Sequence, residues 1–213
     1  MTLRIVSLSD THEQHAKVIV PDGDVLIHAG DWTYQGAIPA VANFAHWIKQ
    51  LPHKYKCVIG GNHELTLETP ARPIVLNLLQ EADITYLENS HCEINGLKIY
   101  GSPCSPRFND WAWNRDRGEQ IAREWAKIPD DVNILITHSP PYGILDDTTH
   151  NGHQGCKDLL VRIKQLKELK LSIHGHLHKN GGRIIVQNGV KFVNAAVLND
   201  NYKLVNSPVV IDL

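Results

Sequence analysis

Leu3-Arg4-Ile5-Val6-Ser7-Leu8-Ser9-Asp10-Thr11-His12 sets the pattern that the rest of the chain repeats: a short apolar run, then a carboxylate and an imidazole where the run stops. Val25 to Ala29 runs into Gly30-Asp31, Lys56 to Gly60 into Gly61-Asn62-His63-Glu64, Ile134 to Thr137 into His138, and Leu171 to His174 into Gly175-His176-Leu177-His178. Runs of four to seven residues rich in Val, Ile and Leu read as buried strands. Helical patterns fall between them, over 38–51, 74–81, 117–127 and 157–170; in the last, Leu159, Leu160, Ile163, Leu166 and Leu169 form an apolar stripe of core type. Asn95-Gly96 and Asn188-Gly189 each sit between strand-like segments and signal tight hairpins, and Val209 to Leu213 supplies a last strand. The order is βαβα followed by hairpins and further strands, an α/β class in which sheets pack face to face with helices outside.

At 213 residues the chain buries roughly 70% of its unfolded surface, and one domain, 1–213, is expected. Its formal net charge of -2 supplies no basic field for duplex nucleic acid. The first nine residues are too short an apolar stretch for a signal peptide, and no segment reaches a bilayer-spanning length, so no membrane partner is expected. Cys57, Cys92, Cys104 and Cys156 lack CxxC spacing and read as free thiols of a cytoplasmic protein.

In α/β sheets ligands gather beyond the carboxyl ends of the strands, where all five motifs fall, so one cluster is the economical reading. If the loops are extended, residues two apart point the same way, which pairs Asp10 with His12 and His176 with His178. Asp31 is the natural bridging carboxylate, Asn62 offers an amide oxygen and His138 a ring nitrogen. This oxygen and nitrogen shell suits two divalent ions, Mn, Fe, Zn, Ni or Co, with Mn the metal expected in vitro. Two such ions with only Asp10 and Asp31 as charged ligands leave an excess near +2, which attracts a phosphate ester and activates water against it. Singly, each residue reads equally well as a loop cap; the ordered set does not.

The set D-x-H, G-D, G-N-H-E, a lone His and G-H-x-H resembles the calcineurin-like metallophosphoesterase superfamily. His28-Ala29-Gly30-Asp31, Gly60 to Thr66, Tyr100-Gly101-Ser102-Pro103 and Thr137-His138-Ser139-Pro140-Pro141 further resemble its metallophosphoesterase-domain-containing (MPPED) branch. The resemblance implies a four-layer αββα sandwich of two mixed β-sheets with flanking helices. It implies Asp10, His12, Asp31 and His178 on one metal, Asp31, Asn62, His138 and His176 on the other, and His63 as the catalytic histidine beside the bridging Asp31. It also implies hydrolysis of small phosphodiesters such as cyclic nucleotides; a nuclease for short single-stranded ends and a non-catalytic scaffold are the alternatives.

One departure stands out. Many relatives carry an acidic residue three positions after the bridging Asp, which orients the catalytic histidine; here it is Tyr34, and Glu64 replaces it only if the backbone turns suitably. The Asp-Arg-Gly of protein phosphatases is absent, which favours diesters over phosphoproteins. His28 and His174 lie within strand runs and read as core histidines. His150 and His153, in the polar loop between Ile144 and Cys156, are candidate substrate contacts. Arg107 to Arg115 reads either as a base-stacking segment or as packing of a long loop.

Overall fold

The computed structural model describes residues 2–149 and 151–213. In chain order its main elements are β1 (Arg4–Leu8), β2 (Val25–His28), α1 (Ile38–Lys49), β3 (Tyr55–Val58), α2 (Arg72–Glu81), β4 (Thr85–Tyr86), β5 (Ser90–Ile94) and β6 (Leu97–Ser102). They continue with α3 (Glu119–Trp125), β7 (Ile134–Thr137), α4 (Lys157–Ile163), β8 (Leu171–His174), β9 (Arg183–Gln187), β10 (Val190–Asn194) and β11 (Val209–Asp212).

Alternation along β1 shows why these strands stack into layers. Ile5 faces one way into a core shared by both sheets, whereas Val6 and Leu8 face the other way onto helices. One sheet has the order β11-β1-β2-β3-β4, parallel except for β11. The other has the order β9-β10-β8-β7-β6-β5, parallel in the middle and closed at each edge by a hairpin. Ile5, Val25, Ile27 and Ile59 of the first meet Ile99, Ile134, Ile136 and Ile173 of the second. Each such side chain, fully buried, contributes roughly 1.5–3 kcal/mol.

Outside the first sheet, Phe44 and Ile48 of α1 and Leu79 of α2 cover Val6, Leu8 and Leu26; outside the second, Trp125 of α3 and Leu159 and Ile163 of α4 cover Tyr100, Leu135 and Phe192. The result is the four-layer αββα sandwich that the resemblance implies. Both Asn-Gly turns are hairpins with two left-handed residues, Asn95 (φ 50°) with Gly96 (φ 77°) and Asn188 (φ 51°) with Gly189 (φ 80°).

Three helices are shorter than their sequence patterns: α1 and α3 by two residues at one or both ends, and α4 by half its length. The helical period extends to Lys170, but α4 stops at Ile163 because the chain tightens, Gln165 N–H bonding Arg162 O and Leu166 N–H bonding Ile163 O, and then swings into β8. Leu166 and Leu169 stay buried, so the stripe is core even where the helix ends.

Candidate metal centre

The five motif loops leave the carboxyl ends of β1, β2, β3, β7 and β8 and meet between the two sheets. Their backbone is not extended. Asp10 (φ 55°), His12 (φ 38°), Asp31 (φ 56°) and His176 (φ 66°) all occupy the left-handed region, at a cost of order 1–3 kcal/mol each. The side chains of Asp10 and His12 therefore converge through tight turns and not through the two-residue alternation of a strand. The turns hold one another: Asp10 N–H bonds Gly30 O at 3.0 Å, His12 N–H bonds Asp31 O at 3.1 Å, and His176 N–H bonds the Asp10 carboxylate at 3.0 Å.

Among the described residues three overlapping groups of donors result: Asp10, His12 and His178; His12, Asp31 and His63; and Asp31, His138 and His176, with the ligand atoms of each group within 4.8 Å of one another. Asp31 belongs to two of them. Its Oδ2 lies 3.7 Å from His12 Nε2 and 3.2 Å from His138 Nε2, and Asn62 Oδ1 is 2.9 Å from the same His138 nitrogen. On the other side His178 Nε2 is 3.3 Å from Asp10 Oδ1.

The donor set fits divalent cations by three observations. His138 Nδ1–H donates to Ala29 O at 2.9 Å and His178 Nδ1–H to Asn199 O at 3.0 Å, so each ring turns Nε2 inward. Both ring nitrogens of buried His12 lack a hydrogen-bond partner among the described residues. Finally, the charges are arranged for exchange. Burial pushes His12 and His176 down to about 4, leaving neutral imidazoles, while the buried carboxylates override desolvation at His138 and His178 and lift both to about 9. Burial disfavours charge on Asp10 and Asp31, yet His178 and His138 hold both well below the ordinary carboxylate range. Protons on His138 and His178 thus neutralise Asp10 and Asp31, a role that cations bound there would fill instead.

His63 stands at the edge of this cluster, its Nε2 3.9 Å from Asp31 Oδ2. The carboxylate missing at Tyr34 is replaced by that residue's own backbone: His63 Nδ1–H donates to Tyr34 O at 2.6 Å. Glu64 takes a different part. Its buried carboxyl accepts the N–H groups of Asp31 (2.9 Å), Gly61 (2.6 Å) and Thr33 (2.9 Å) and the Thr33 hydroxyl (3.0 Å), tying the Asp31 turn to the Asn62 turn. Burial and the charge of Asp31 push it up to about 8. The Glu64 carboxyl announces an acceptor in the sequence, whereas a carbonyl acceptor such as Tyr34 O leaves no signal there.

His28 is fully buried with Nε2 3.1 Å from Thr11 Oγ1, and burial drives it down to about 3; His174 is likewise buried and neutral. His150 lies outside the described residues. His153 is exposed, with Nδ1 2.6 Å from buried Asp146, in a cleft with Arg117, Tyr142 and Lys157. A second cavity of about 310 Å³ is lined by His176, Arg107 and Phe108 among others. The segment 107–115 divides accordingly. Trp113 is core, Phe108 is 61% exposed beside that cavity, and Trp111 leans on His63 with ring centroids 4.2 Å apart.

Residues 3–180 match the calcineurin-like phosphoesterase family. The chain belongs to that family. As a calcineurin-like phosphoesterase it falls among hydrolases of phosphate esters that use divalent metals. It is 38% identical to human metallophosphoesterase domain-containing protein 1 over 231 residues, spanning 99% of this chain and 71% of that protein, and the mouse protein of the same name matches equally. The crystal structure of phosphopantetheinyl hydrolase from Mycobacterium tuberculosis shares the fold (TM-score 0.63, 15% identity, 93% of this chain and 90% of that one). Among the described residues no helix is long and apolar enough to cross a membrane.

Proposed function

We propose that this calcineurin-like phosphoesterase hydrolyses small phosphodiesters such as cyclic nucleotides. In this reading Asp10, His12, Asp31 and His178 hold one divalent cation and Asp31, Asn62, His138 and His176 the other. The observation that carries it is the position of Asp31, whose carboxylate lies between the two groups of donors. Two cations held there supply Lewis acidity toward the phosphate oxygens and a lowered pKa for water.

The chain's own residues do the rest. His63, its Nδ1–H committed to Tyr34 O, offers Nε2 to the leaving oxygen, to which it delivers a proton. Only Asp10 and Asp31 bring carboxylate charge to the cations, because Glu64 is turned under the loop. The arginines near the cavity are engaged elsewhere, Arg107 with Asp116 and Arg117 with the carbonyls of Gln154 and Gly155. With both guanidiniums committed, neither is free to pair the second charge of a monoester, which favours a singly charged diester.

Purified protein supplemented in parallel with Mn, Ni and Mg is to be assayed on phosphomonoesters, 2′,3′- and 3′,5′-cyclic nucleotides, an aryl phosphodiester and oligonucleotides. Expected are turnover of the cyclic nucleotides and the aryl diester, greatest with Mn, and its loss in Asp31→Ala. Turnover of monoesters alone refutes the diester assignment. A wild-type protein inert on every ester and indistinguishable from Asp31→Ala refutes the centre itself.

A further inference from the structure

The Tyr34 carbonyl fixes His63 through one hydrogen bond, and one hydrogen bond leaves the imidazole free to swing about its own axis. A carboxylate at that place adds a charge to hold the ring; a neutral carbonyl adds less. The second restraint comes from Trp111. Its half-buried indole lies against His63 with centroids 4.2 Å apart and planes 31° apart, while the His12 ring stands nearly perpendicular to the same imidazole with centroids 4.6 Å apart.

Trp111 is itself pinned to the histidine's own loop. The N–H of Ala112 bonds the carbonyl of Asn62, the residue before His63, at 3.1 Å, and the N–H of Trp113 bonds Glu68 Oε2 at 2.9 Å. Buried Trp113 anchors the segment in the core, so the indole beside it is a wall and not a flap.

We infer that Trp111 is a positioning residue for His63, supplying by aromatic contact the orientation that a carboxylate at position 34 would otherwise give. This rests on the proton-donor reading of His63 above. The consequence is specific to the leaving group. A ribose alkoxide departs only with a proton, whereas a nitrophenolate departs without one, so a misplaced His63 slows the first and spares the second.

The test compares Mn-supplemented wild type, Trp111→Ala, Trp111→Phe and His63→Ala on a cyclic nucleotide and on bis(p-nitrophenyl) phosphate. Trp111→Ala is expected to lower kcat on the cyclic nucleotide by at least about tenfold, a modest part of what general acid catalysis contributes. Its aryl-diester kcat should fall less than about threefold with KM nearly unchanged, and Trp111→Phe should restore most of the loss. The two-substrate ratio within one variant is independent of how much protein is folded. Equal losses on both substrates, a change in KM alone, or no rescue by Phe overturns the inference. If His63→Ala itself shows no leaving-group split, the proton-donor reading fails instead, and the two failures are told apart.

Discussion

Replacing Glu64 by Gln asks whether its buried carboxyl works as a four-fold acceptor. Oε2 takes the N–H groups of Asp31 and Gly61, and Oε1 takes the N–H and hydroxyl of Thr33, whose oxygen already accepts Gly36 N–H at 2.8 Å. An amide has one oxygen for these four donors. In its better orientation the new NH2 faces Thr33 and strands one buried N–H; in the worse it strands those of Asp31 and Gly61. Each stranded donor costs about 1–3 kcal/mol, so a loss of ~2 kcal/mol is expected. For a chain of this size that lowers Tm by roughly 4–8 °C. Because the freed turn carries Asp31, affinity for Mn should fall as well, by the 10- to 100-fold order typical when support of a metal ligand is lost.

Urea unfolding at pH 7 and calorimetric Mn titration measure the two effects. The result also discriminates between charge states. Burial and Asp31 push the Glu64 carboxyl up, but four donors on its two oxygens fit only the ionised form, so the loss is expected of a carboxylate, whereas a neutral acid would be well imitated by Gln. A Glu64→Gln protein within about 0.5 kcal/mol of wild type and with intact Mn affinity refutes the acceptor argument, since stranded donors cost more than that.

Gly61→Ala places a methyl 2.7 Å from His138 Cε1 and 2.6 Å from Asp31 N, so Mn affinity should fall by about tenfold or more while helix content by circular dichroism stays put. His28 is held neutral, its pKa down to about 3 against an ordinary 6.5, so below 6.5 only the unfolded chain takes up that proton. His28 alone should therefore take about 2 kcal/mol from stability between pH 7 and pH 5, beside buried, neutral His12, His174 and His176, and His28→Gln should remove that share of the slope in urea melts. At the far hairpin, Gly96→Ala meets open space but a φ of 77°; about 1 kcal/mol of stability is lost and turnover is unchanged.

What was readable in the sequence followed from chemistry carried by side chains. The runs that became β1, β2, β3, β7 and β8 announce themselves by apolar content, the hairpins by Asn-Gly, and Asp10, His12, Asp31, Asn62, His138, His176 and His178 by their placement behind strands. Contacts made by main chain leave no such trace. The Tyr34 carbonyl on His63 and the Asn199 carbonyl on His178 depend on where a loop passes, and any residue type could supply them. Backbone conformation was hidden too: left-handed Asp10, His12, Asp31 and His176 contradict the extended spacing that their sequence suggests, because neighbouring turns hold them there.

The same strain is joined at the centre by buried charge. Four non-glycine residues in the left-handed region cost several kcal/mol together, and the centre adds two buried carboxylates. Protonated His138 and His178 offset that charge, and hydrogen bonds between turns offset the strain. Loading the centre would exchange those protons for metal. Affinity for Mn should accordingly rise with pH toward about 9, as those two imidazoles give up their protons, and calorimetry in buffers of different ionisation enthalpy should detect proton release on binding. Mn binding that is independent of pH from 6 to 9 and releases no proton contradicts this account of how the charge of the centre is balanced.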